Sequence, residues 1–152
     1  MIAQYAPFVM AAILIVAIVL EVKTGRIPNW LTFLPVALFV AVAVTAEDWT
    51  AVYWQLGLAG AVFLFGLVLF AFAGIGAGAV KLMAGVALFV PLDKAFLAFI
   101  VFMGAFFVSS VLVVQLRKAI GSDQSTWHWL ANAVLPMTIP IAAAGLSALF
   151  LL

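Results

Sequence analysis

The stretch "AFLAFIVFMGAFFVSSVLVVQL", residues 95–116, decides the fold of this protein. It is apolar almost throughout and contains no charged residue. A helix needs roughly 20 consecutive apolar residues to cross the hydrocarbon core of a bilayer, and this run is long enough. Because a bilayer offers the backbone no water, such a run must satisfy its own hydrogen bonds as an α-helix. The stretch therefore predicts a transmembrane helix.

The rest of the chain has the same character. Of 152 residues, 70% are hydrophobic and 7% are charged, whereas soluble domains are about half apolar and about a quarter charged. This composition predicts an integral membrane protein with one membrane-embedded domain over residues 1–152. Six lysines and arginines cannot supply the basic face that nucleic-acid binding requires. The absence of cysteine excludes disulfides, cysteine nucleophiles and thiolate metal sites.

About six transmembrane segments are predicted, which makes the fold all-α. The fourth is too short to cross a bilayer alone, so we expect a short or re-entrant helix there. The sixth is interrupted by Pro136 and Pro140, which disfavour a continuous helix. The apolar runs are continuous rather than alternating, which argues against a barrel of strands. The six segments are residues 6–20, 31–46, 56–73, 82–90, 95–116 and 130–152.

The basic residues predict the orientation in the membrane. Lysine and arginine favour cytoplasmic loops. The first, third and fifth loops lie on one side and carry most of the basic residues of the chain. We therefore expect these three loops in the cytoplasm and both chain termini outside, in a bacterial inner membrane. The basic residues in these loops are Lys23, Arg26, Lys81, Arg117 and Lys118.

Two of these predicted cytoplasmic loops carry motifs. The first loop reads "EVKTGRIPNW", residues 21–30, and the third reads "GIGAGAVKLMAG", residues 74–85. The first resembles the Asp-x5-Ile-Pro-Asn motif of type IV prepilin peptidases, and the second resembles their Gly-x-Gly-Asp-x-Lys motif. The positions that match as substrate-binding or motif-support residues are Ile27, Pro28, Asn29, Gly76, Gly78 and Lys81.

A third, weaker match lies near the C-terminus. "PMTIPIAAAG", residues 136–145, resembles the Pro-Tyr-Gly-x-Ala-Ile stretch in the last helix of the family. The short chain and the lack of a cysteine-rich segment resemble the type associated with tight-adherence (Tad) pili. The resemblance implies a membrane aspartic endopeptidase that cuts prepilin-like substrates at the cytoplasmic membrane face. It implies no metal and no cofactor, and pilus or secretion assembly proteins as further partners.

Both positions that the resemblance marks as catalytic depart from the family. Each motif normally supplies one aspartate, but here the positions hold Glu21 and Ala79. Two nearby carboxyl groups share a proton, so one takes a proton from water while the other protonates the scissile carbonyl. Glu21 offers a carboxyl one methylene further out, and Ala79 offers none. The sequence therefore predicts a chain without ordinary aspartic-peptidase activity.

Three explanations of the alanine stay open. The alanine is an engineered substitution in the first explanation. In the second, the protein is a natural pseudopeptidase that binds pilin helices without cutting them. In the third, another acid takes the place of the missing carboxyl group at position 79. Asp123 is the acid predicted on the cytoplasmic side that could take this role. Glu47, Asp48 and Asp93 are predicted on the opposite face.

Structural roles without chemistry also fit several of these residues. Glu21 beside Lys23 is a reasonable interfacial charge, and Lys81 a cation that reaches back to the membrane surface. Gly74 and Gly78 form a Gly-x-x-x-Gly pair, which lets helices pack closely. His128 lies between two tryptophans, a pattern typical of an aromatic belt. A transporter or channel component is disfavoured because no charged residue lies inside a predicted span.

Overall fold

A computed structural model describes residues 2–73, 75–120 and 135–151 of the chain. Within these residues the structure is helical and contains no strand, which confirms the predicted all-α fold. A single 3₁₀ turn, Leu92–Lys94, leads into the fifth helix. The α-helices are α1 (Ile2–Thr24), α2 (Asn29–Ala43), α3 (Trp49–Ala73), α4 (Ala77–Ala87), α5 (Ala95–Ile120) and α6 (Thr138–Phe150).

The helices differ in whether they are long enough to cross a bilayer. Gln4–Thr24 in α1, Trp49–Phe72 in α3, and Leu92–Leu116, which covers the 3₁₀ turn and most of α5, have the length and apolarity of membrane spans. The helices α2, α4 and α6 have 15, 11 and 13 residues. The short fourth helix was predicted and is confirmed, whereas six separate spans stay a prediction.

Two prolines near the C-terminus lie at the start of a helix. Helix α6 begins at Thr138, just after Pro136, and Pro140 lies in its first turn. The first N–H groups of a helix have no partner within the helix, so a proline there loses no hydrogen bond. The predicted sixth segment began at residue 130, and its first five residues lie outside the described part of the chain.

Neighbouring helices place the motif loops at one end of the bundle. The rings of Phe8 and Phe150 lie 5.6 Å apart, so the start of α1 meets the end of α6 and the two helices are antiparallel. Lys81 of α4 bonds Asn29 of α2 near the starts of the two helices, and Phe39 and Phe89 lie 5.7 Å apart near their ends, so α2 and α4 run in the same direction. The end of α1 and the starts of α2, α4 and α6 therefore share one end. We call residues 21–29, 75–81 and 136–138 the motif end.

The short helix α4 is packed between α2, α3 and α6. Glycines make this close packing possible. A Cβ added at Gly66 of α3 would lie 2.7 Å from Cγ1 of Val80, and one at Gly145 of α6 would lie 2.5 Å from Cγ1 of Val86. Gly85 of α4 packs in the same way against a proline of α2. Such contacts let helix backbones approach closely. Close packing matters here because apolar lipid tails give no hydrophobic driving force for the association of helices.

Candidate active site

Helix α1 ends just after the first family position. Gly25 has a φ of 68° and donates its N–H to the carbonyl oxygen of Glu21 at 2.7 Å. This is a left-handed cap, which glycine adopts without steric cost. Glu21 is therefore fixed in the last turn of α1, where its side chain is half-buried.

The carboxyl group of Glu21 reaches the first residue of α6. Oε2 of Glu21 accepts hydrogen bonds from the backbone N–H of Thr138 at 2.7 Å and from its Oγ1 at 2.6 Å. Thr138 is 0% exposed. A carboxylate suits the start of a helix because the unpaired N–H groups there carry partial positive charge. The contact joins α1 to α6 at the motif end.

Thr138 was not predicted as a site residue. It lies in the weak third match, residues 136–145, which was interpreted only as a family resemblance. The available signal was a threonine followed two residues later by Pro140, since a threonine with a proline in the turn after it is typical of a helix start. Nothing in the sequence connects that helix start to Glu21, which is 117 positions earlier.

The Ile-Pro-Asn segment starts α2. Pro28 is extended, with φ −68° and ψ 145°, and Asn29 is the first residue of the helix. The carbonyl oxygen of Asn29 accepts a hydrogen bond from Oγ1 of Thr32 at 2.8 Å. Proline presets the backbone for a helix that follows it. Pro28 and Asn29 thus have a structural role at the start of α2.

The Gly-x-Gly segment starts α4 and touches the first motif. Gly76 precedes the helix with φ −63° and ψ 139° and accepts the N–H of Ala79 at 3.0 Å. A Cβ at Gly76 would meet no atom within 4 Å, so space does not require a glycine there. A Cβ at Gly78 would lie 2.9 Å from the carbonyl oxygen of Ile27. Gly78 is therefore a true close approach between the two motifs.

A hydrogen bond makes a second link between the motifs. Nζ of Lys81 donates to Oδ1 of Asn29 at 3.1 Å, and both side chains are exposed. The predicted interfacial cation thus has a specific partner in the first motif. The sequence separates these residues by 52 positions, and the parallel arrangement of α2 and α4 brings them together.

Ala79 lies in apolar surroundings. It is 4% exposed and belongs to a buried cluster with Leu82, Met137 and Ile141. Every residue that lines the small gap beside Ala79 is apolar, and Met137 is one of them. Glu21 contacts Thr138, so Met137 and Thr138, consecutive residues at the start of α6, adjoin Ala79 and Glu21 respectively.

Two other acids, Asp48 and Asp93, lie away from the motif end. Asp48 accepts the N–H of Thr50 at 2.8 Å at the start of α3, and Asp93 lies in the turn before α5. Both positions are at the end of the bundle opposite the motif end. Gly74, Asp123 and His128 lie outside the described residues.

Comparison with known proteins adds one finding. The family model described as "Type IV leader peptidase family" matches residues 8–116. The chain belongs to the type IV leader peptidase family. The matched range contains both motifs, Glu21 and Ala79, and it ends before Thr138. Comparisons with curated proteins and with solved structures give no match.

This leader peptidase family member is a membrane protein whose two motif loops are in contact. At the motif end, the described residues contain one carboxyl side chain, that of Glu21. A single carboxyl group can exchange a proton with water, but position 79 supplies no second group to act on a carbonyl. Among the described residues, the two motif loops are therefore in contact and contribute a single carboxyl group.

Proposed function

We propose that the chain is a prepilin leader peptidase-like protein that takes prepilin-like substrates at the cytoplasmic face of a bacterial inner membrane. The observation that carries the proposal is the contact between the two family motifs. Gly78 packs against Ile27, and Lys81 bonds Asn29 at the same end of the bundle. A site that acts on one peptide bond must gather its residues in this way.

We further propose that the chain lacks ordinary aspartic-peptidase activity. Its family uses two carboxyl groups that share a proton, because two adjacent carboxylates resist simultaneous ionisation. Ala79 stands at the second position and is buried among apolar side chains. The proposed site uses no metal and no cofactor.

The second candidate is a non-enzymatic pseudopeptidase that binds pilin helices or pilus and secretion assembly proteins, in a Tad-type system. The contact between Glu21 and Thr138 favours it. That contact engages the remaining carboxyl group as the cap of α6, a role that needs no catalysis. For both candidate functions we propose that residues 1–152 form a single membrane-embedded domain. This domain crosses the membrane several times, with both termini outside.

Cleavage of a co-expressed prepilin, followed on a gel by the loss of its leader, tests the proposal. We expect no cleavage by the unaltered chain. Ala79→Asp should give weak activity, since it restores a second carboxyl group. Ala79→Asp with Glu21→Asp should give more, because glutamate reaches about one bond too far and a misplacement of about 1 Å can cost roughly a hundredfold in rate.

The controls separate the two candidates. Ala77→Asp introduces an acid two positions earlier, at an exposed site of the same helix, and should not restore cleavage. Efficient cleavage by the unaltered chain would refute the inactive proposal and direct attention to Asp123. If the double variant is folded in the membrane and still does not cut its natural substrate, the pseudopeptidase is supported.

A further inference from the structure

The contact between Glu21 and Thr138 places two donors of one residue on a single carboxyl oxygen. The threonine donates two hydrogen bonds, one from its backbone and one from its hydroxyl, and both reach Oε2. Their lengths of 2.7 and 2.6 Å are typical of strong bonds to a carboxyl group. Two donors on one oxygen restrict both the position and the rotation of the group.

Both donors are themselves rigid. The N–H of Thr138 belongs to the first turn of α6, and the side chain is completely buried. A β-branched side chain has few accessible rotamers. Met137, at the N-cap position, gives the helix no side-chain cap, so Glu21 of α1 supplies the carboxyl group that the helix start favours.

The helix that carries these donors is fixed relative to both family positions. Gly145 of α6 packs closely against Val86 of α4 and lies near Leu14 of α1. Ile141 is buried in the same cluster as Ala79. The start of α6 therefore cannot move without disturbing the helices that carry Glu21 and Ala79.

We propose that Thr138 is a positioning residue for Glu21. It binds Oε2 through both of its donors and thereby sets the direction in which the carboxyl group faces. In the leader peptidase reaction restored by Ala79→Asp, Thr138 thus orients the carboxyl group that serves the water. This role rests on the proposed function, and its physical basis is the pair of bonds to a single oxygen.

Infrared difference spectroscopy of the purified chain in detergent tests the positioning without any activity. The carboxyl bands of Glu21 are identified as those lost in Glu21→Gln. Thr138→Val is nearly isosteric and removes the hydroxyl donor, so it should shift these bands, whereas Thr138→Ser keeps the donor and should leave them in place. Thr45→Val serves as the matched control. It removes a threonine hydroxyl just after α2, at the end of the bundle opposite the motif end. Bands that do not move in Thr138→Val would overturn the proposal.

Kinetics in the Ala79→Asp background give a second test. Thr138→Val should lower kcat by up to roughly a hundredfold with little change in KM, because it disturbs orientation rather than substrate binding. Thr138→Ser should recover most of the rate. Equal rates for Thr138→Val and its parent would refute the role. If the Ala79→Asp parent does not cleave at all, that result counts against the proposed function, and the infrared comparison still decides the role of Thr138.

Discussion

Glu21 and Ala79, which we propose stand at the positions of the family's two acids, have different surroundings. Glu21 is half-buried at the end of α1, where two donors of Thr138 bind its carboxyl group. Ala79 is buried among apolar side chains. Position 21 therefore accommodates an acid, and position 79 is part of the apolar core.

Restoring an acid at position 79 should reduce stability. In Ala79→Asp, burial of a polar group without a matched partner costs about 1–3 kcal/mol. A carboxylate in the first turn of a helix contributes about 0.3–1 kcal/mol in the opposite direction. The burial cost is the larger, so we expect a lower melting temperature in detergent.

Ala77→Asp is the matched control for that change. Ala77 is exposed in the same first turn, so only the favourable helix contribution applies and its melting temperature should be unchanged or slightly higher. If Ala79→Asp is as stable as Ala77→Asp, the apolar description of position 79 is wrong.

The two motif glycines should respond differently to alanine. Gly78→Ala places a Cβ 2.9 Å from the backbone carbonyl of Ile27, which cannot rotate away, so we expect a loss of about 1–3 kcal/mol in the free energy of unfolding. Gly76→Ala meets no atom within 4 Å and should change stability much less. Thermal unfolding of the two variants side by side measures the difference. Equal losses would contradict the close contact between the motifs.

At the scale of elements, α4 shows how a short helix is held in this bundle. Its 11 residues are too few to cross a bilayer, and an isolated helix of this length is marginal. Packing against α2, α3 and α6 stabilises it instead. Because α4 begins with the second motif, that packing also positions Gly78 and Ala79.

The contact between α4 and α6 can be tested with a pair of substitutions. In Gly145→Ala the added Cβ lies 2.5 Å from Cγ1 of Val86, so we expect a destabilisation of about 1–3 kcal/mol. Val86→Ala removes the clashing methyl groups and should recover part of that loss in the double variant. A double-mutant cycle of melting temperatures measures the coupling. Strictly additive effects would show that the two side chains do not meet.

At the scale of the whole molecule, helix directions place all described parts of the motifs at one end. The basic residues Lys23, Arg26 and Lys81 lie at this end too, whereas three acids and one basic residue lie at the other: Glu47, Asp48, Asp93 and Lys94. Lysine and arginine prefer the cytoplasmic side of a membrane. The charge distribution thus supports a cytoplasmic motif end, where a cytoplasmic leader would be accessible.

Reporter fusions test this orientation. A phosphatase that is active only outside the cytoplasm should be active when fused after Leu152. The predicted N-terminus lies outside, and six predicted crossings would return the chain to that side. The same reporter fused after Gly25, in the first basic loop, should be inactive. Activity in the opposite pattern would reverse the orientation and remove the site from the cytoplasmic face.

The sequence alone determined the all-α membrane fold, the short fourth helix and the two family motifs. These depend on properties that act locally: the length of apolar runs, the backbone preferences of proline and glycine, and the spacing of residues within a loop. Pro136 and Pro140 accompany the start of α6 at Thr138, because the first turn needs no donor from a proline.

The tertiary structure alone decided which distant residues meet. The bonds from Thr138 to Glu21, the bond from Lys81 to Asn29 and the contact of Gly78 with Ile27 each join segments that are far apart in the chain. They follow from helix directions and from glycine contacts such as Gly145 on Val86. Close packing of whole helices fixes these distances, and apolar periodicity within one segment carries no information about the residue that will face it from another.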